Sequence, residues 1–264
     1  MVVTGARGTV TKRMRADLAL VEQGLAPSRE KARALILAGE VLAGDRPIDK
    51  AGELVDAAAE LRLRSAPMPY VSRGGVKLAH ALDVFGVVVR DRAALDVGAS
   101  TGGFTDCLLQ RGAARVTCID VGHGQLDWKI ASDPRVRVLD RVNVRLAPAD
   151  LLAEPVDLIV VDVSFISLRL VLPALRQWAR PGADLVALVK PQFEVGRADV
   201  GKGGIVRDET ARARALAEVR AAAATLGYEV LGDTVSPITG GKGNVELLLH
   251  LRIGSGNVTA SGSP

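Results

Sequence analysis

Four ionisable residues stand where strand ends would gather them. The apolar run at residues 158–161 ends on Asp162, and the run at 185–189 ends on Lys190. In an open α/β sheet the carboxyl ends of the strands form the edge at which ligands bind. A carboxylate and an amine there can orient a reacting hydroxyl and move its proton, although each taken singly is equally a strand-end charge seeking solvent. Glu246 is harder to explain away. It falls inside the apolar stretch 244–249, read as a strand, where a carboxylate is costly unless paired, and a lysine such as Lys190 would satisfy it. Lys77 is the second amine, in the segment Ser72-Arg73-Gly74-Gly75-Val76-Lys77-Leu78. Its adjacent glycines suit either a tight turn or a close backbone approach.

A second constellation is built for a ligand rather than for proton transfer. Leu95-Asp96-Val97-Gly98-Ala99-Ser100-Thr101-Gly102-Gly103-Phe104 reads as a strand, a Gly-rich turn and a helix start, the arrangement that lets a cofactor approach the backbone. The glycines Gly98, Gly102 and Gly103 do not fit the G-x-G-x-x-G spacing of a nicotinamide site. Asp120, closing the next strand 22 residues beyond Gly98, is placed to accept from ribose hydroxyls, and Asp140, closing the third strand, to meet an adenine amino group. Phe104 and Phe165 are two of only eight aromatic residues, so their place beside this edge suits core packing or base stacking. With three histidines and no Cys/His cluster, His123 is not read as a ligand and no metal site is expected.

The elements that must hold these residues alternate. Strands at 94–97, 115–119, 136–139, 156–161 and 183–189 are separated by helical stretches, the signature of a doubly wound, largely parallel sheet. Two further strands, 229–233 and 244–251, have only a short connection between them, which makes the last one antiparallel.

Ahead of this lies a smaller module. Residues 14–21 space their apolar side chains for a helix stopped near Gly24, and Ser28 caps a second helix, 29–38, ended by Gly39. Strands at 40–42 and 60–64 complete it. Arg29 and Arg33 lie four apart and share a helix face, with Lys31 to one side, a stripe suited to a phosphate backbone. Residues 1–80 hold 13 basic and 9 acidic residues, while the remainder holds 21 of each. The whole net charge of +4 therefore sits in the N-terminal part, where it suggests an acidic partner.

A chain of 264 residues with 48% hydrophobic and 24% charged residues is of globular composition. No charge-free stretch is long enough to cross a bilayer, and residues 1–13 lack the apolar block of a signal peptide, so the cytosol is the expected compartment. Cys107 and Cys118 are too few for a disulfide framework. The tails, 1–12 and 254–264, are read as disordered.

The N-terminal module resembles the S4 RNA-binding domain, through Arg15-Ala16-Asp17, Gly24-Leu25, Ser28-Arg29, residues 32–36 and Gly39-Glu40-Val41. The resemblance names RNA as the acidic partner and Arg13, Arg15, Arg29, Lys31, Arg33 and Arg73 as candidate contacts. The Gly-rich turn with Asp120 and Asp140 resembles the class I S-adenosylmethionine-dependent methyltransferases. Lys77, Asp162, Lys190 and Glu246 resemble the K-D-K-E tetrad of RNA ribose 2′-O-methyltransferases of the FtsJ/RrmJ type. Together, over residues 13–252, the chain is similar to the TlyA family of ribosomal RNA 2′-O-methyltransferases, also labelled haemolysins. The segments 190–194 and 201–206 resemble that family's substrate-side loops.

The resemblance implies an S4 domain at 13–64, a linker at 65–76 and a Rossmann-like α/β methyltransferase domain at 77–253 with a seven-stranded sheet. S-adenosylmethionine is then the cofactor, held by Asp96, Gly98, Ser100, Thr101, Gly102, Gly103, Phe104, Asp120, Asp140 and Asp162. Cytidine 2′-hydroxyls of 16S and 23S RNA, in 30S or 50S subunits, are the implied substrate. The competing readings are a non-catalytic RNA-binding assembly factor, a membrane-active haemolysin, for which no spanning or basic amphipathic segment speaks, and a methyltransferase of proteins or small molecules, which the S4 module disfavours.

Overall fold

The computed structural model describes residues 13–64 and 68–254; the segments read as tails, apart from Gly254, lie outside the described residues. The chain divides into two compact units between Met68 and Pro69.

The first unit runs β1 (Arg13–Arg15), α1 (Ala16–Glu22), α2 (Arg29–Leu37), β2 (Val41–Ala43), β3 (Arg46–Pro47), β4 (Leu54–Asp56) and β5 (Leu61–Leu63). The two helices end at Gly24 and Gly39, both left-handed, and Ser28 Oγ caps α2 by accepting from Lys31 N at 3.2 Å. Ala16, Leu20, Ile36, Val41 and Ile48 form its core. The strands β1, β3 and β4 are additional to the sequence reading. β1 pairs with β4, and β3 pairs with β2; two- and three-residue strands carry too little periodicity to announce themselves.

The second unit continues with α3 (Arg73–Phe85), β6 (Ala93–Val97), α4 (Gly103–Gln110), β7 (Arg115–Asp120), α5 (Trp128–Ala131), β8 (Val136–Asp140), β9 (Val156–Val161), α6 (Leu168–Leu175), β10 (Ala179–Val189), α7 (Pro191–Glu194), α8 (Glu209–Thr225), β11 (Tyr228–Val235) and β12 (Leu247–Ile253). Seven strands form one sheet in the order β11-β12-β10-β9-β6-β7-β8. Only β12 runs against its neighbours, antiparallel to both β10 and β11. The chain leaves β6 towards β7 and β8, then returns to β9 on the other side of β6, so the switch point lies between β6 and β9.

Strand alternation divides the core. Leu95, Val97, Ile159 and Val161 face α6 and α8, while Ala94, Leu158 and Val160 face α3 and α4. The helix α3 opens at Arg73, so residues 73–76, expected in the linker, belong to it. Its glycines serve close approach, since a Cβ on Gly75 would lie 2.2 Å from the Tyr70 ring. Both cysteines are buried and free. Among the described residues no helix is long and apolar enough to cross a membrane.

Candidate active site

The carboxyl edge of the sheet is hollowed on both sides of the switch point. A cavity of about 330 Å³ is walled by Val97, Ile119, Val121, Val142, Val144 and Ile166, with Asp120, Gln125 and Asn143 as polar groups. A second, of about 390 Å³, lies beyond Lys190 and is bounded by Phe165, Phe193, Gly240, Lys242 and Glu246. Between them a polar cleft of about 200 Å³ runs past Ser72, Lys77, Ser100, Thr101, Gly103 and Phe104. Ser164 lines all three, and Lys190 two of them.

The turn after β6 has the geometry of a cofactor cradle. Gly98 is left-handed at φ +85°, and a Cβ on it would fall 2.5 Å from the Asp162 carbonyl oxygen, so only glycine lets the ends of β6 and β9 close up. Ser100, also left-handed, donates its N–H to Asp120 Oδ2 at 2.8 Å, and Gly122 N donates to Asp120 Oδ1 at 2.7 Å. Asp120 is thereby fixed at the cavity wall with acceptor capacity to spare for ribose hydroxyls. The apolar walls suit a flat base. The residues present therefore fit an adenosyl group, with Gly98, Ser100, Asp120, Gln125 and Asn143 as its neighbours.

Three residues expected at this site line none of the three cavities. Asp96 is fully buried on the α4 face of β6 and lines none of the three cavities; its Oδ2 accepts from Thr105 Oγ1 at 2.6 Å. Burial pushes its pKa up to about 7, Thr105 opposing and the Asp162 charge adding to the rise. Asp140 also lines none of them. Its Oδ2 accepts from Gly124 N at 2.9 Å and meets His123 Nδ1 at 3.0 Å, which anchors the 121–127 loop and holds the carboxyl below its ordinary pKa. Gly102 packs under Leu126, where a Cβ would fall 2.8 Å from the side chain.

Lys77, Asp162, Lys190 and Glu246 come together as two ion pairs, in which Glu246 has a partner other than the one expected. Lys77 reaches from α3 to Glu246, both side chains nearly inaccessible. Lys190 pairs with Asp162 Oδ1 at 2.6 Å and donates to Ser164 Oγ at 2.8 Å. Glu246 lies one residue ahead of β12 rather than within it. Sequence reasoning sought its partner among strand-end lysines, and the helix supplies it instead. Ser164, Gln125 and Asn143 were not foreseen; their signal was position alone, in loops following the carboxyl ends of strands.

In the first unit Asp17 is wholly buried. Arg15 grips both its oxygens, at 3.0 and 2.9 Å, and Arg29 donates to Oδ2 at 2.9 Å. The Arg15 hydrogen bonds, with Arg29, hold its pKa at about 2 against the opposing effect of burial. Arg15 and Arg29 thus have a structural task, while Arg13, Lys31 and Arg33 are exposed and outside that clamp. Arg73, in the second unit, donates to the Thr239 carbonyl. Among the described residues no group of three or more His, Cys, Asp or Glu could hold a metal ion.

Comparison with known proteins fits this geometry. Residues 70–253 match the FtsJ-like methyltransferase family and residues 14–61 the S4 domain. The 16S/23S rRNA (cytidine-2′-O)-methyltransferase TlyA of Mycobacterium tuberculosis is 48% identical over 244 residues, covering 92% of this chain and 91% of the relative. Hemolysin A of Brachyspira hyodysenteriae is 39% identical over 242 residues, covering 91% and 100%. A solved structure from Streptococcus thermophilus, described as a hemolysin, superposes with a TM-score of 0.72 at 44% identity, covering 93% of this chain and 90% of that one. The chain belongs to the TlyA family, in which an S4 domain precedes an FtsJ-like methyltransferase domain.

Proposed function

We propose that the protein transfers a methyl group from S-adenosylmethionine to a ribose 2′-hydroxyl of ribosomal RNA, on cytidines as the name of the M. tuberculosis relative states for that protein. The observation that carries this reading is the placement of Lys190, ion-paired to Asp162 and bonded to Ser164, on a second cavity edged by two phenylalanines and on the polar cleft that shares Gly98, Ser100, Asp162 and Ser164 with the cavity suited to an adenosyl group.

The cofactor, when bound, supplies a methyl group on a sulfonium whose neutral thioether leaves in an in-line displacement. Gly98, Ser100 and Asp120 hold its adenosyl part in this reading, and the polar cleft beside Lys77 takes the remainder. A ribose hydroxyl is a poor nucleophile, so the residues must orient it and help remove one proton. Lys190 is the amine facing it. As an ammonium, Lys190 is ion-paired to Asp162 and donates to Ser164, with N–H capacity left to fix the hydroxyl oxygen; as the amine, Lys190 takes the proton. A pH–rate profile separates these two roles. Lys77 and Glu246 neutralise each other beside the second cavity, where Phe165, 91% exposed, is placed to stack on a base. Exposed Arg13, Lys31 and Arg33 of the S4 unit serve the RNA backbone, and ribosomal RNA places the protein in the cytoplasm.

The test is incubation with tritiated S-adenosylmethionine and unmethylated 30S and 50S subunits. Alkali-resistant label at one nucleotide supports the reading. Lys190→Ala is expected to abolish transfer while cofactor affinity stays within about twofold; wild-type turnover in that variant refutes the assignment.

A further inference from the structure

Glu194 is a buried acid that methyl transfer as described leaves unused. Glu194 closes the four-residue helix α7, which begins directly after Lys190, and is only 4% exposed. Its carboxylate crosses to the segment that follows Asp162. Ser167 Oγ donates to Oε2 at 2.5 Å and Leu168 N donates to Oε1 at 2.8 Å. Arg169 adds to this from the same side: its Nη2 donates to the Glu194 carbonyl at 3.1 Å, and its Nε lies 3.7 Å from Oε2. The acid thus sits at the N-terminus of α6, where free N–H groups favour negative charge.

What this clasp joins matters for catalysis. One strand end carries Lys190 and Phe193; the other carries Asp162, Ser164 and Phe165. The second segment is strained, because Phe165 is left-handed at φ +65° without being glycine. Such a conformation costs roughly 1–3 kcal/mol and persists only where its surroundings hold it. The clasp, the Phe165–Phe193 ring contact, centroids 5.3 Å apart, and the Lys190 contacts to Asp162 and Ser164 tie the two segments together around the strain. Burial also raises the Glu194 pKa, with Ser167, Leu168 and Arg169 opposing. A neutral carboxamide therefore suits the position.

We propose that Glu194 is a positioning residue for methyl transfer: by tying the 190–194 segment to the 162–168 segment it sets the register of Lys190 against Asp162 and Ser164 and holds Phe165 at the substrate cavity. This rests on the reading of Lys190 as the amine that serves the hydroxyl. Glu194 touches no reacting atom, so its loss acts through displacement of Lys190, and small displacements at a reacting centre are costly in rate.

The test compares Glu194→Ala, Glu194→Gln, Ser167→Ala and Lys190→Ala in the full-length protein, with kcat and KM on unmethylated subunits, cofactor affinity by calorimetry and thermal melts. Glu194→Ala is expected to lower kcat at least roughly tenfold with cofactor affinity within about twofold. Glu194→Gln, which can still accept from Leu168 N and meet Ser167, keeps kcat within about threefold. Ser167→Ala, which spares the buried acid, falls between them and serves if Glu194→Ala does not fold. Wild-type kcat in both Glu194→Ala and Ser167→Ala overturns the proposal, as does a parallel loss of kcat, cofactor affinity and melting temperature with no rescue by glutamine. Full turnover by Lys190→Ala instead overturns the reading on which it rests.

Discussion

Replacing Lys77 by methionine separates what the buried ion pair does for the fold from what it does for catalysis. Lys77 and Glu246 retain 10% and 4% of their side-chain exposure, so removing the amine leaves a carboxylate with no charge partner at that position and little water to replace it. Breaking a buried pair in this way costs about 3–5 kcal/mol. For a unit of this size each kcal/mol moves the melting temperature by about 2–4 °C, giving an expected fall of roughly 6–20 °C for Lys77→Met at neutral pH. Replacing both partners, Lys77→Met with Glu246→Leu, removes the unpaired charge and is expected to recover most of the lost melting temperature. The leucine must fit against Gly240, where even a Cβ would lie 2.4 Å from Glu246 Oε1. Methyl transfer should stay absent in the double variant. Calorimetric melts at neutral pH, with turnover on unmethylated subunits, decide the matter. A Lys77→Met protein melting within about 2 °C of wild type refutes the energetic argument, and an active double variant refutes the catalytic one.

Three further outcomes are expected. Gly98→Ala would drive a Cβ into the Asp162 carbonyl at a left-handed position, so calorimetry should show loss of S-adenosylmethionine binding while the S4 unit still binds RNA. Asp17 and Asp184 both have pKa values near 2, Asp17 through Arg15 and Arg29, and Asp184 through His250 and Arg92 acting against burial. Because these values are depressed, each contributes about 2 kcal/mol above the unfolded pKa near 4, lost as pH falls towards 2, and melts between pH 5 and 2 should steepen in both units. Asp96 has the opposite sign. With a folded pKa near 7, it costs stability as pH rises from about 4 to about 7, and Asp96→Asn, which mimics the protonated acid, should flatten that part of the melting curve; an unchanged slope refutes the assignment.

Local pattern carried much of this protein. Apolar runs of strand length, each closed by a charged residue, placed Asp120, Asp162 and Lys190 at one sheet edge before any contact was known, because strand ends follow from periodicity and edges from topology. The left-handed turns at Gly24, Gly39 and Gly98 were legible for the same reason, since only glycine takes that conformation without cost. Partner choice was not legible. Lys77 and Glu246 lie 169 residues apart, and nothing local says that a helix, rather than the neighbouring strand, answers the buried acid. Nor could spacing tell that Asp96 points into the α4 face while Asp120 meets the cavity, or that Asp140 turns to the loop that follows Asp120. Those directions depend on which side of the sheet each helix covers and how the loops close over it. Side-chain type and spacing determine what chemistry a chain can do, while pairing, burial and the clasp at Glu194 depend on distances that exist only once the sheet has assembled.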